Sequence, residues 1–134
     1  MSHYCEIQTE LRDPGALVAA LRALGFADIE VHAAAQALYG YQGDARPERA
    51  EVIVRRRYVG QAANDLGFAR QADGTFRAII SEYDQGQGYD ARWLGRLAQE
   101  YALARVQAVA KAHGRPLAIT RRPDGCIAVR VRAR

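Results

Sequence analysis

The stretch that decides the fold is LGFARQADGTFRAIISEY, residues 66–83. Strand patterns from Leu66 to Gln71 and from Thr75 to Tyr83 flank Ala72-Asp73-Gly74, which has the chemistry of a hairpin turn. A strong strand pattern from Glu51 to Val59 precedes them, with Arg55 and Arg57 on one face. These three runs predict an antiparallel sheet at the centre of the chain.

The flanking regions add two helices and further strands. Residues 4–11 alternate as a half-buried strand, and Asp13-Pro14 then begins a helix that Gly25 ends. A second strand includes Ile29 and Val31, and a short helical turn is expected at residues 33–38. Residues 91–113 form the longest helix, with a final hairpin after it.

The predicted order is β-α-β-β-β-β-α-β-β. Without the central hairpin and the last strand, this is β-α-β-β-α-β, the ferredoxin-like split arrangement. We therefore expect an α+β fold: a ferredoxin-like split β-α-β with an added hairpin, a mostly antiparallel sheet, and two helices on one face. The opposite face would lie open to solvent, a second copy or a partner, which allows for a homodimer.

Composition favours one globular domain over residues 1–134, since 49% of residues are hydrophobic and 25% are charged. Eighteen of the nineteen cationic residues are arginines, and the net charge is +4. Cys5 and Cys126 form no metal-binding cluster, so neither a metal nor a cofactor is expected. The sequence has no signal peptide pattern and no long apolar run, which predicts a cytoplasmic protein without a membrane span.

The candidate binding site centres on Tyr39–Glu48, a glycine-containing loop with no helix or strand period. Its polar side chains, with those of nearby strand ends, could bind a cation, a basic partner or polar ligand groups. The same residues can also be explained without a ligand. Asp and Asn side chains stabilise turns, and Arg46 or Arg55 can neutralise a nearby carboxylate. The candidate binding residues are Tyr39, Tyr41, Gln42, Asp44, Arg46, Glu48, Arg55, Arg57, Asn64, Asp65, Glu82 and Asp84.

Two other functions have weaker support from the sequence. Arginines and tyrosines interleaved on an open sheet suit single-stranded nucleic acid, and Arg121-Arg122 with Arg130, Arg132 and Arg134 add a second basic zone. The chain has no recognisable catalytic motif, and the carboxylate pair Glu82 and Asp84 has the spacing of any two residues on one side of a strand. Catalysis is therefore not favoured.

Several motifs together resemble one family: Met1-Ser2-His3-Tyr4, Leu38 to Asp44, Ala50 to Arg56, Asn64 to Phe68 and Ile80 to Asp84. They occur in order and at fitting spacing in the family of hypothetical chloroplast reading frame thirty-five, which occurs in plastids, cyanobacteria and other bacteria. The resemblance implies no known activity, cofactor or catalytic residue. It implies an accessory role, since such proteins are often encoded beside an ATPase of the AAA type.

The function expected from these observations is a small non-catalytic accessory or adaptor protein that binds another protein, plausibly an AAA-type ATPase. One alternative is a nucleic-acid-binding module that uses the arginine-rich open sheet. Another is an enzyme or small-molecule sensor that uses the Tyr39–Glu48 loop.

Overall fold

The computed structural model describes residues 3–131, so Met1, Ser2, Arg132 and Arg134 of the motifs above lie outside the described part. The elements follow in chain order: β1 (Tyr4–Gln8), α1 (Pro14–Ala23), β2 (Glu30–Tyr39), β3 (Ala45–Val54), β4 (Leu66–Arg70), β5 (Phe76–Ser81), α2 (Glu82–Gly86), α3 (Ala91–Ala112), β6 (Leu117–Arg121) and β7 (Ile127–Val131). A 3-10 turn, Arg56–Tyr58, lies between β3 and β4.

The main sheet has five strands in the order β1-β5-β4-β3-β2, and each neighbouring pair is antiparallel. The predicted hairpin turn joins β4 to β5. Its Gly74 has a φ of 88°, and the Gly74 N–H donates to the carbonyl of Gln71 at 3.0 Å. The antiparallel sheet and the helices beside it confirm the predicted α+β class.

The end of the chain departs from the ferredoxin-like order. In the ferredoxin-like arrangement, the strand after the second helix returns to the main sheet. In this protein, β6 follows the second long helix and pairs only with β7, in a separate two-stranded sheet. The strand β6 begins only after the 22 residues of α3, which span about 33 Å.

Both long helices pack on one face of the main sheet, as predicted. The side chain of Asp13 caps α1, since its Oδ1 accepts from the N–H of Gly15 at 2.9 Å. Leu17 and Leu21 of α1 and Leu97 of α3 are fully buried against apolar side chains from β3, β4 and β5. Trp93 of α3 belongs to the same cluster.

The opposite face is not open at its centre, because the hairpin of β2 and β3 folds back over it. Between Val31 and Gln36 the register shifts, so that the four residues 32–35 of β2 lie opposite the single residue Glu51 of β3. A bulge of this kind bends the strand. It brings Leu38 over Gly67, which lies between Ile53 and Ile79 on this face. These residues are buried, so the prediction of an uncovered face was wrong there, and the argument for a homodimer through it loses its basis.

Three local predictions need correction. Residues 33–38 belong to strand β2 and not to a helical turn. The strand expected to reach Tyr83 ends at Ser81, whose Oγ accepts from the N–H of Asp84 at 3.0 Å and caps the short helix α2. The strand expected to reach Val59 ends at Val54, and the 3-10 turn follows.

Among residues 3–131, no helix combines the length and the apolar character needed to cross a membrane.

Candidate functional site

The predicted Tyr39–Glu48 loop is a tighter structure than expected. β2 ends at Tyr39 and β3 begins at Ala45, so only residues 40–44 form the turn. The Gly40 N–H donates to the Asp44 carbonyl at 2.9 Å, and the Gly43 N–H donates to the Gly40 carbonyl at 2.8 Å. A φ of 79° at Gly43 suits glycine. This closed turn exposes the side chains of Tyr41 and Gln42.

The turn is held from below by Asp65, which is fully buried. Its Oδ2 accepts from the N–H of Tyr39 at 2.7 Å, and its Oδ1 accepts from the N–H of Arg56 at 2.7 Å. The Tyr4 hydroxyl donates to the Asp65 carbonyl at 2.8 Å. Burial first, and then the nearby carboxylates, raise the pKa of Tyr4 far above its ordinary range, so the hydroxyl remains a donor. Asp65 therefore supports the turn from the interior of the protein.

Arg55 joins this support to the edge of the sheet. Its Nη1 donates to Asp65 Oδ2 at 2.9 Å, and its Nε and Nη2 each donate to a Glu30 oxygen at 2.8 Å. Hydrogen bonds from Arg55, and then from His32, lower the pKa of Glu30 to about 2. The guanidinium also lies 5.5 Å from the centroid of the Tyr39 ring. Arg55 therefore has two carboxylate partners within the protein and stabilises the fold. From the sequence, Arg55 and Arg57 were expected to share one face of a strand and both to bind a ligand or partner.

A second buried polar group lies beside the turn and consists of Asn64, Ser81 and Asp84. Asn64 Oδ1 accepts from the N–H of Tyr41 at 2.9 Å, and Asn64 Nδ2 donates to Ser81 Oγ at 2.9 Å. Asp84 Oδ2 accepts from Ser81 Oγ at 2.7 Å, while Asp84 Oδ1 has no hydrogen-bond partner among residues 3–131. Asn64 thus supports the turn from a second side.

Sequence reasoning missed the role of Ser81. The spacing of Ser81 and Asp84 is that of a helix N-terminus, with a capping hydroxyl followed three residues later by an acidic side chain, and this signal could have identified it. The same helix separates the expected carboxylate pair, because Glu82 is exposed and Asp84 is buried.

The remaining candidates lie along the start of β3. Asp44 Oδ2 is 3.6 Å from Arg46 Nη1, and the Arg46 guanidinium lies 5.7 Å from the centroid of the Tyr4 ring. Glu48 is half-buried, and its Oε1 has no hydrogen-bond partner among the described residues. Arg46 and Asp44 pair with each other, as the turn-chemistry interpretation expected.

A groove of about 820 Å³ runs beside the turn, and we call it the tyrosine–arginine groove. Its lining includes Tyr39, Gly43, Arg55, Arg56, Arg57, Tyr58 and Asp65. Arg56 Nη1 donates to the Tyr41 carbonyl at 2.9 Å, and the Arg57 guanidinium lies 4.8 Å from the centroid of the Tyr58 ring. Within residues 3–131 neither Arg56 nor Arg57 forms an ion pair, so the groove carries positive charge that the protein itself does not neutralise.

Arg56 and Tyr58 were not among the predicted site residues. The run Arg55-Arg56-Arg57-Tyr58 was visible, but strand alternation assigned Arg56 to the wrong side. The 3-10 turn places Arg55, Arg56 and Arg57 around one groove instead. Across the described part of the chain, no three His, Cys, Asp or Glu side chains are grouped so that they could hold a metal ion.

Comparison with known proteins gives one match. The model of a family described as "Protein of unknown function (DUF1257)" matches residues 20–129, which include the turn, the groove and the buried polar groups. No curated protein and no solved structure matches the chain. Because the matched residues make up most of the chain, the protein belongs to this family, DUF1257.

Proposed function

We propose that this is a small, non-catalytic accessory protein that binds another protein through the 40–44 turn and the tyrosine–arginine groove. The observation that carries the proposal is a contrast in burial. Asn64 and Asp65 are buried and fully engaged in holding the turn, while Tyr41, Arg57 and Tyr58 are exposed on the same rim. Exposed groups on a firmly held loop are the usual construction of a binding site.

The chemistry of the rim suits a protein partner. Tyr39, Tyr41 and Tyr58 are 40%, 39% and 39% exposed, and Arg57 adds a guanidinium without an ion pair among the described residues. Tyrosine and arginine are the side chains that most often dominate binding energy at protein interfaces. The unneutralised guanidinium groups favour a carboxylate on the partner.

The partner class is a further part of the proposal. Resemblance to the family of hypothetical chloroplast reading frame thirty-five implies an accessory role beside an ATPase of the AAA type. The cytoplasm is the compartment expected from the sequence. An acidic surface on such an ATPase would complement Arg56 and Arg57.

Nucleic acid is the second candidate, and one contact favours it. The Arg57 guanidinium stacked on Tyr58 resembles the cation–aromatic platforms on which bases of single strands stack. The open sheet on which this alternative first rested is covered at its centre by Leu38 and Ala50, so only the groove supports it.

Affinity capture from the native host tests the proposal. Wild-type protein should retain a specific protein, and Arg57→Glu with Tyr58→Ala should lose it. Arg92→Glu is the matched control, because Arg92 is an exposed arginine on α3, away from the groove. Capture that survives nuclease treatment and declines only gradually with salt supports a protein partner. Capture that nuclease abolishes, with a steep salt dependence from counterion release, contradicts the proposal and supports nucleic acid.

A further inference from the structure

The last thirty described residues form a projection that differs from the rest of the protein, and we call residues 102–131 the C-terminal arm. It consists of the second half of α3 with the β6–β7 hairpin. Only Leu103 and Ala110 are buried within it. A two-stranded hairpin has marginal stability by itself, so its apolar face requires something to pack against.

The arm has an apolar face that its own elements do not cover. Val106 and Val109 of α3 are 37% and 55% exposed, and Val129 and Val131 of β7 are 38% and 50% exposed. Val129 and Val131 lie on one side of their strand, and Val129 is paired with Ile119 of β6, which is 38% exposed. Of the six large aliphatic side chains that are exposed in residues 3–131, these five belong to the arm.

These side chains line a trough between α3 and β7. Two cavities of about 280 Å³ each share Val106 as a wall. One extends toward Val109 and Val131, and the other toward Leu103 and Val129. The helix between Leu103 and His113 is about 15 Å long, which matches about three turns of another helix laid beside it.

Charge is segregated between the arm and the body of the protein. The arm contains six Arg and Lys residues and one Asp, a net charge of +5, whereas residues 3–101 contain eleven Arg and fourteen Asp and Glu, a net charge of −3. Arg105 and Arg115 border the trough at the Val109 end; Arg105 is paired with Asp13 of the body at 2.9 Å, whereas Arg115 forms no ion pair among residues 3–131. The trough therefore has an apolar floor and a cationic rim.

We propose that the C-terminal arm binds an acidic amphipathic helix of another protein, with its apolar residues on Val106 and Val109 and its carboxylates on the arginine rim. A second copy fits poorly, because pairing two arms would bring two surfaces of like charge together. The arm also contains no Phe, Tyr or Trp, so it lacks the large aromatic side chains on which the bases of single strands usually stack.

Fluorescence anisotropy with the full-length protein tests this inference. The probe is a labelled fifteen-residue peptide with Leu at helical spacing and Glu on its flanks. Matched peptides replace Glu with Lys, or scramble the order so that no apolar face forms. The acidic amphipathic peptide should bind and gain helical circular dichroism, while the other two bind at least roughly tenfold more weakly.

The variants locate the site. Val109→Asp and Arg115→Glu should each weaken binding by roughly tenfold, since each places a negative charge against the peptide's carboxylates or apolar face. Val31→Asp is the matched control, because Val31 is 56% exposed on β2, outside the arm, and its change should leave affinity within about twofold. Unchanged thermal melts would confirm that the variants fold.

Several outcomes would overturn the inference. They are equal binding of acidic and basic peptides, equal loss in Val109→Asp and Val31→Asp, or no binding of the acidic peptide. Light scattering that shows a dimer which Val109→Asp dissociates would identify a second copy as the occupant. Val109-dependent flotation with vesicles of phosphatidylcholine and phosphatidylglycerol, without peptide binding, would identify a membrane surface instead.

Discussion

Arg55 and Asp65 form the ion pair that connects the sheet edge to the turn, with Arg55 Nη1 2.9 Å from Asp65 Oδ2. The Asp65 side chain is 1% exposed, and the Arg55 side chain is 23% exposed. A buried carboxylate is tolerated because three donors surround it, from Tyr39, Arg55 and Arg56. This pair positions the exposed rim and has no free capacity to bind a ligand.

Removing the Asp65 carboxylate should therefore destabilise the fold strongly. Asp65→Ala leaves two backbone N–H groups without their acceptor and removes one of the two carboxylate partners of Arg55, and we expect a loss of about 3–5 kcal/mol in the free energy of unfolding. Asp65→Asn retains one acceptor oxygen and should cost less. Urea denaturation followed by Trp93 fluorescence measures both.

Asp28→Ala is the control for this pair, since Asp28 is exposed and should change stability by about 0.5 kcal/mol or less. An Asp65→Ala variant as stable as Asp28→Ala would show that the ion pair does not support the turn.

Gly67 marks the place where the β2–β3 hairpin crosses the sheet. A Cβ at this position would lie 2.8 Å from Leu38 Cδ1 and 2.9 Å from Ala50 Cβ. Gly67→Ala should cost about 1–3 kcal/mol, because the covering hairpin must move away. Gly95→Ala on α3, where nothing lies within 4 Å, should instead be neutral or stabilise by up to about 1 kcal/mol. Equal effects in thermal melts would contradict the closed face.

Through Glu30, the free energy of unfolding should depend on pH in the acid range. Arg55 lowers its pKa from 4.5 to about 2, so its contribution is fully present above pH 4.5 and is lost as the pH falls to about 2. The Glu30 side chain is 39% exposed, and solvent screening keeps the effect modest. The stability difference between the wild type and Glu30→Gln should shrink across this window. A difference that is constant with pH would exclude the assigned role.

Leu97 lies on the face of α3 that packs against α1 and the sheet. Leu97 is fully buried among side chains of α1 and the sheet. Leu97→Ala should cost about 2–5 kcal/mol in denaturant melts. A cost below about 0.5 kcal/mol would mean that the helix packs in another way.

Elements with strong local signals were predicted well from the sequence. Asp13-Pro14 begins α1, Gly25 follows its end, and Asp73-Gly74 turns the central hairpin, because each depends on chemistry within a few residues. Residues 33–38 were misread since three alanines favour a helix locally, whereas pairing with β3 keeps them in a strand. The pairing of β6 with β7, in place of a return to the main sheet, is set by tertiary contacts that no local sequence pattern reveals.

The candidate site was predicted in part. The exposed tyrosines and the turn were identified from glycine and polar composition, which are local properties. The burial of Asp65 and Asp84 depends on contacts that are distant in sequence, such as the bond from Asp65 to the Tyr39 N–H, so polar type alone suggested a surface ligand site. Arg56 was missed because a 3-10 turn replaced the expected strand alternation.

The division between buried support and exposed rim is tested most directly by measuring partner capture and melting temperature on the same variants. Tyr41→Ala, Gln42→Ala and Asp44→Ala each remove a side chain of the turn, and Arg92→Glu serves as the control. We predict that each turn variant retains less of the captured protein while melting within a few degrees of the wild type. Unfolding of these variants without a separable loss of capture would contradict the proposal and show that the three residues only close the turn.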